Sequence, residues 1–200
     1  PRTEVITWTA PDGVEVEGLL TYPLGWDEQE RPIAAPLLVI VHGGPAGVFR
    51  QRFIARRGAY PIASFAERGY FVLRPNPRGS SAYGRDFRYG NMENWGDGPL
   101  SDIMGGVDHV IEQGLADPNR LGIMGWSYGG YMTSFAITRT DRFAAASVGA
   151  GVTNLLSMQG TTDIPDFMVS YFGAEYWDNI DVWRLNSPME RAGDIAVALA

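Results

Sequence analysis

The 200-residue sequence has no cysteine, no lysine and only two histidines. Without cysteine, disulfides, thiolate metal sites and cysteine nucleophiles drop out together, and His42 and His109 alone are too few for a zinc site. No apolar run approaches the roughly 18 residues a membrane-crossing helix needs, the longest candidate lying around Pro36 to Val41, so a membrane is not an expected partner. Basic charge is also in deficit. Sixteen arginines face 23 acidic residues for a net charge of −7, and nucleic acid is excluded as an expected partner on that ground. What is present is the composition of a globular chain, with 45% hydrophobic and 20% charged residues. Its length is enough to bury a core without disulfide or metal staples, so one domain over residues 1–200 is expected.

The charge is unevenly distributed. Between Gly47 and Gly90 nine arginines (50, 52, 56, 57, 68, 74, 78, 85 and 88) stand against Glu67 and Asp86, which makes this stretch +7 and the remainder −14. Such a run reads either as a solvated face or as a docking surface for another domain or an anionic substrate group.

Apolar periodicity organises the chain. Val5–Trp8 and Val14–Tyr22, joined by Pro11-Asp12-Gly13, read as an antiparallel hairpin. Leu37–Val41 is a continuous apolar run closed by a glycine pair, as in a strand buried on both faces, and Tyr70–Leu73 is a second. Tyr60–Arg68 between them has helical spacing and a stop at Gly69. Asn76–Pro99 lacks a period and reads as a long loop. Ser101-Asp102 then caps a helix with Ile103, Val107, Val110 and Ile111 on one face. Leu121–Met124, Tyr128–Ile137 and Phe143–Val148 continue as strand, helix and strand, followed by short aromatic-rich pieces from Thr153 to Arg191. Hairpin followed by repeated β-α-β units implies an α/β fold with a mostly parallel sheet, an N-terminal antiparallel hairpin and helices on both faces.

One motif carries chemistry. Gly125-Trp126-Ser127-Tyr128-Gly129 has the G-x-S-x-G pattern of a nucleophile elbow, with a strand leading in and a helix leading out. The serine sits on a strained turn, and its glycine neighbours lack Cβ so that strand and helix approach closely. Ser127 is the candidate nucleophile. An acyl-transfer oxyanion needs two preorganised donors; the elbow offers the Tyr128 N–H, and His42-Gly43-Gly44-Pro45, after the buried strand, offers that of Gly44 or Gly43. Pro45 has no N–H to donate.

These two motifs, with Asn76-Pro77-Arg78-Gly79-Ser80-Ser81-Ala82-Tyr83-Gly84, Asp102-Ile103 and Asp117-Pro118-Asn119-Arg120, make the chain resemble the peptidase domain of the prolyl oligopeptidase family of serine peptidases. It is most similar to the acylaminoacyl-peptidase and dipeptidyl-peptidase branches. The resemblance covers nearly the whole chain and implies an α/β-hydrolase fold and peptide substrates. It further implies a β-propeller in the same full-length protein, with the arginine-rich stretch as its docking face, and no metal or cofactor. Ser127 becomes the acylated residue, with Tyr128 and Gly44 as oxyanion donors. Trp126, Val152 and Phe167 fall near positions where relatives line the substrate pocket, although core packing is the favoured expectation for each. A carboxylesterase of the same fold and a non-catalytic binding module are the alternative functions.

The pattern breaks at the base. In the α/β-hydrolase order an acid and then a histidine follow the serine, but no histidine follows His109, and Asp163 and Asp166 lie in the aromatic segment. His109 reads as structural, and His42 as a backbone contributor to the oxyanion loop. The expectation is that the 200 residues form an incomplete hydrolase domain, with the C-terminal part of the fold, its Asp and its His lying downstream and Phe143–Val148 left as an exposed edge.

Overall fold

The computed structural model describes residues 1–27, 34–54, 60–196 and 198–199. Strands β1 (Thr3–Thr9) and β2 (Glu15–Thr21) form the expected hairpin, pairing Trp8 with Val16 and Thr7 with Glu17. Strands β3 (Ala35–Val41), β4 (Phe71–Asn76), β5 (Ala116–Trp126), β6 (Ala145–Gly149) and β7 (Ala198–Leu199) complete one seven-stranded sheet in the order β1-β2-β4-β3-β5-β6-β7. Pairings β1/β2 and β2/β4 are antiparallel and the other four are parallel. This is the α/β-hydrolase architecture.

Alternation along the central strands divides the core. Leu37, Val39, Val41, Phe71 and Leu73 face helices α3 (Asp97–Glu112) and α4 (Tyr128–Ile137), whereas Leu38, Ile40 and Val72 face α1 (Ile62–Glu67). Because β3 is covered on both sides, it shows no polar face, the pattern a parallel sheet imposes. Trp8 joins the hairpin to α3: its ring lies over Gly105 and Gly106, and its indole N–H donates to the Asp102 carbonyl at 2.8 Å.

Several expectations are corrected. The Asn76–Pro99 stretch contains a short helix α2 (Arg85–Arg88), and α3 begins at Asp97, not at Ser101-Asp102. Pro99 is tolerated in the first turn, where its missing N–H has no partner to lose. Asp102 is therefore a mid-helix residue, and its buried carboxylate accepts from the Arg78 backbone N–H at 2.7 Å and from its guanidinium at 2.6–3.1 Å. Nor is β6 left as a bare edge, since β7 pairs with it at Ala145 and Ala146. The residues after β6 form α5 (Leu155–Thr161), α6 (Pro165–Phe172), α7 (Ile180–Leu185) and a 3₁₀ segment, Pro188–Asp194.

The arginine-rich stretch is not one surface. Arg74 is buried and donates to Thr21 Oγ1 at 3.2 Å, and desolvation pushes its pKa down to about 10. Arg78 is held between Asp102 and Asp12, both of which keep its guanidinium charged. Arg88 donates to the Tyr171 hydroxyl. Arg50, Arg52, Arg68 and Arg85 remain exposed, and Arg56 and Arg57 lie outside the described residues.

Candidate active site

At the C-terminal end of β5 the chain turns into α4 through Ser127, which has φ 60° and ψ −120°. A non-glycine residue at such angles is strained and persists only where its surroundings impose it. Here they do. The Ser127 N–H donates to the Gly149 carbonyl at 2.9 Å, and its own carbonyl accepts from the Tyr131 N–H at 2.9 Å. Behind it, a Cβ on Gly129 would strike the Val41 carbonyl, and a Cβ on Gly125 would strike the Gly129 backbone. The start of α4 thus rests directly on the ends of β3 and β5, and Ser127 is left exposed at the crest.

The His42-Gly43-Gly44 turn lies on the same edge of the sheet. A Cβ on Gly43 would sit 3.3 Å from the Trp126 carbonyl oxygen, 3.5 Å from Ser127 Cβ and 4.0 Å from Ser127 Oγ. Gly44 follows with φ 133°, a value that admits only glycine without strain. Tyr128 is the first residue of α4, so its N–H belongs to the helix's unpartnered first turn. Its side chain points away from that turn into the core, where the buried phenol donates to the Trp95 carbonyl at 2.8 Å and desolvation pushes its pKa well above the ordinary tyrosine range.

Neither histidine ring is arranged as a base for Ser127. His42 Nδ1 lies 2.9 Å from the Gly43 carbonyl oxygen and Nε2 lies 2.9 Å from Ser80 Oγ, and burial lowers the ring's pKa so that it stays neutral. The ring braces the His42-Gly43-Gly44 turn against the segment after β4. His109 is on α3, 2.9 Å from the Gln113 side chain. Asp163 and Asp166 are exposed. Among the described residues no three His, Asp or Glu side chains converge as metal ligands.

The three pocket candidates part company. Trp126 is 56% exposed, its ring against Gly149, so core packing fails for it because β5 ends where the ring begins. Val152 and Phe167 are partly buried against the main core. Phe167 packs edge-on against Trp95 at 5.9 Å and Tyr171 at 5.3 Å.

Sequence reasoning missed two supports of this site. Trp95, in the stretch read as loop, has its ring 5.0–5.9 Å from those of Tyr128, Tyr131, Phe167, Tyr171 and Phe172. Asn186 holds that loop: its Oδ1 accepts from the Trp95 and Gly96 N–H groups, and its Nδ2 donates to the Glu93 and Val182 carbonyls. Only an isolated tryptophan amid polar residues hinted at the first, and nothing local marks the second.

Comparison with known proteins finds relatives in sequence and in fold. The sequence pattern of the prolyl oligopeptidase family matches residues 59–198. An uncharacterized peptidase of Bacillus subtilis (strain 168) is 32% identical over 199 residues, 98% of this chain and 29% of its own length. An acylamino-acid-releasing enzyme of Arabidopsis thaliana is 41% identical over 133 residues, 66% of this chain and 17% of its own. The structure of an acylaminoacyl peptidase of Pyrococcus horikoshii superposes with a TM-score of 0.86 at 29% identity, over 99% of this chain and 31% of that one. The chain therefore spans less than a third of each of these relatives.

Proposed function

Since the chain belongs to the prolyl oligopeptidase family, we propose that its full-length protein is a serine peptidase cleaving short peptides through an acyl-enzyme on Ser127. The observation that carries this reading is the exposed, strained serine at the strand-helix junction with Gly43 packed against its Cβ. Ser127 Oγ attacks the scissile carbonyl carbon, and the N–H groups of Tyr128 and Gly44 receive the oxygen that becomes negative. The serine proton passes to a histidine outside the 200 residues, which returns it to the leaving amine; water then repeats the cycle on the ester. Support for an external base is that His42 and His109 are committed to Gly43 and Ser80 and to Gln113. The exposed Arg50, Arg52 and Arg85, with Phe53 75% exposed beside the first two, supply the face for a β-propeller of the same protein. Trp126 contacts substrate beside Ser127, while Val152 and Phe167 back the pocket.

A fluorophosphonate probe tests the reading, because it requires an activated serine. The full-length protein should label within minutes and turn over an N-acetylated amino-acid p-nitroanilide, the substrate class named by its acylamino-acid-releasing relative. Ser127→Ala should lose labelling and on the order of 10⁶ in turnover, with its melting temperature unchanged. A protein of residues 1–200 should not label within an hour. Rapid Ser127-dependent labelling of that shorter protein would assign the base to His42 or His109 and defeat the external-base assignment.

A further inference from the structure

We infer that Tyr60 is a positioning residue for the oxyanion hole, a spacer set between the two strands that carry its donors; the inference rests on the serine-peptidase reading above. From Leu37 opposite Leu121, strands β3 and β5 pair in continuous register as far as Val41 opposite Gly125. At the next rung a side chain stands between them. The Tyr60 hydroxyl donates to the Val41 carbonyl at 3.0 Å and accepts from the Trp126 N–H at 3.0 Å. Two bonds meeting at one oxygen hold that carbonyl and amide on the order of 5 Å apart, against about 2.9 Å in an unbroken ladder. The groups bridged lie immediately before the chemistry: Val41 leads directly into His42-Gly43-Gly44, and Trp126 into Ser127-Tyr128. The gap between the two donor segments is therefore set by a phenol 19 residues from one strand end and 66 from the other.

The spacer is itself held. Its ring packs edge-on against Phe49 at 6.1 Å, and Phe49 packs against the His42 ring at 5.4 Å. Asn76 pins Phe49 by accepting from its N–H at 2.7 Å and donating to its carbonyl at 3.0 Å. Burial pushes the Tyr60 phenol above its ordinary value, so it keeps the proton it donates. Removing the hydroxyl leaves a carbonyl and an amide free to close on each other, and misplacement of catalytic donors by about 1 Å can cost about 10²-fold in rate. Tyr60 touches no reacting atom, and its effect reaches the reaction through the two strand ends.

The test uses the full-length protein with Tyr60→Phe and Ser127→Ala side by side. Tyr60→Phe should lower kcat about 10- to 100-fold with KM within about two-fold, and weaken a peptidyl boronic acid, which mimics the tetrahedral intermediate, by the same factor. Binding of the cleaved product should be unchanged. A kcat and boronate affinity equal to wild type, or a loss confined to KM, overturns the spacer while Ser127→Ala still reports on the mechanism. Turnover retained by Ser127→Ala instead defeats the serine reading. Amide hydrogen exchange of the wild-type protein covers a variant that does not fold: the Trp126 N–H should be protected at least about 10-fold, and free exchange there overturns the proposal.

Discussion

Where β5 turns into α4 the backbone is brought together by removing side chains, whereas one layer behind, the same helix is held in place by adding them. Gly125 and Gly129 let the start of α4 meet the ends of β3 and β5 at distances no Cβ would permit, and Gly43 comes up against Ser127 beside them. Behind them, Tyr128 and Tyr131 of α4 pack on Trp95, which packs in turn on Phe167, Tyr171 and Phe172 of α6, and Phe135 packs on Tyr131. At Gly125 and Gly129 the first region tolerates no added atom because the contacts there are backbone to backbone, which cannot rotate away. The second tolerates exchange of like for like, because rings fill volume and repack. The comparison predicts a steep hierarchy of mutational cost, with chemistry on the glycine side and stability on the aromatic side.

Gly129→Ala should be the most damaging change. Its Cβ meets the Val41 carbonyl, a backbone atom fixed in the central sheet, so the expected cost exceeds about 4 kcal/mol and fluorophosphonate labelling is lost. Wild-type denaturation midpoint and labelling in this variant would break the comparison at its root. Trp95→Ala should cost about 3–5 kcal/mol in chemical denaturation, with the folded fraction still labelling at a rate within a few-fold of wild type. Trp95→Phe should cost clearly less, because the indole N–H is buried without a partner and its loss forfeits no bond. A Trp95→Ala protein that is stable but chemically dead would place the aromatic layer in the mechanism.

Asn186→Ala sharpens the same point with a polar group. It strands the Trp95 and Gly96 amides and the Glu93 carbonyl, while the Val182 carbonyl keeps the backbone N–H of residue 186, for an expected loss of about 1–3 kcal/mol by urea titration at unchanged KM. The smallest effect belongs to His42. Its folded-state pKa lies below the unfolded value of about 6.5, so the unfolded chain binds the extra proton between the two. The ring's contribution is complete above that unfolded value and is lost as pH falls toward the folded one. Thermal melts from pH 7 to pH 5 should show a decline from this ring as pH falls, and His42→Gln should flatten it. A slope unaffected by that substitution would remove His42 from the bracing of the Gly43-Gly44 turn.

The same contrast explains what was legible. The hairpin around Pro11-Asp12-Gly13, the doubly covered strand β3 and the helix α4 were each readable within a dozen residues, because turn chemistry and apolar period are local. So was the elbow, whose glycines announce a close approach without saying to what. The start of α3 was misread because Asp102 looks like a cap, and only Arg78, 24 residues earlier, shows that it is an interior ion-pair acceptor. Arg74 and Arg78 looked like members of a surface run, since charge in a sequence reads as solvated until a partner is known. Trp126 looked like core by its type, yet it stands in solvent because the strand beneath it ends.

By itself the sequence determined that a serine would sit at a glycine-flanked strand-to-helix turn in an α/β sheet, because the steric rules for such a turn act on adjacent residues. It also determined that a second glycine turn would end a neighbouring buried strand. Only the tertiary structure decided that Gly43 comes to rest against Ser127, that Tyr60 stands between the two strand ends, and that Trp95 and Asn186 fasten the loop behind them. Those relations join residues 19 to 91 positions apart. No local preference encodes them; they follow from how the sheet orders its strands and from which buried polar groups must then find partners.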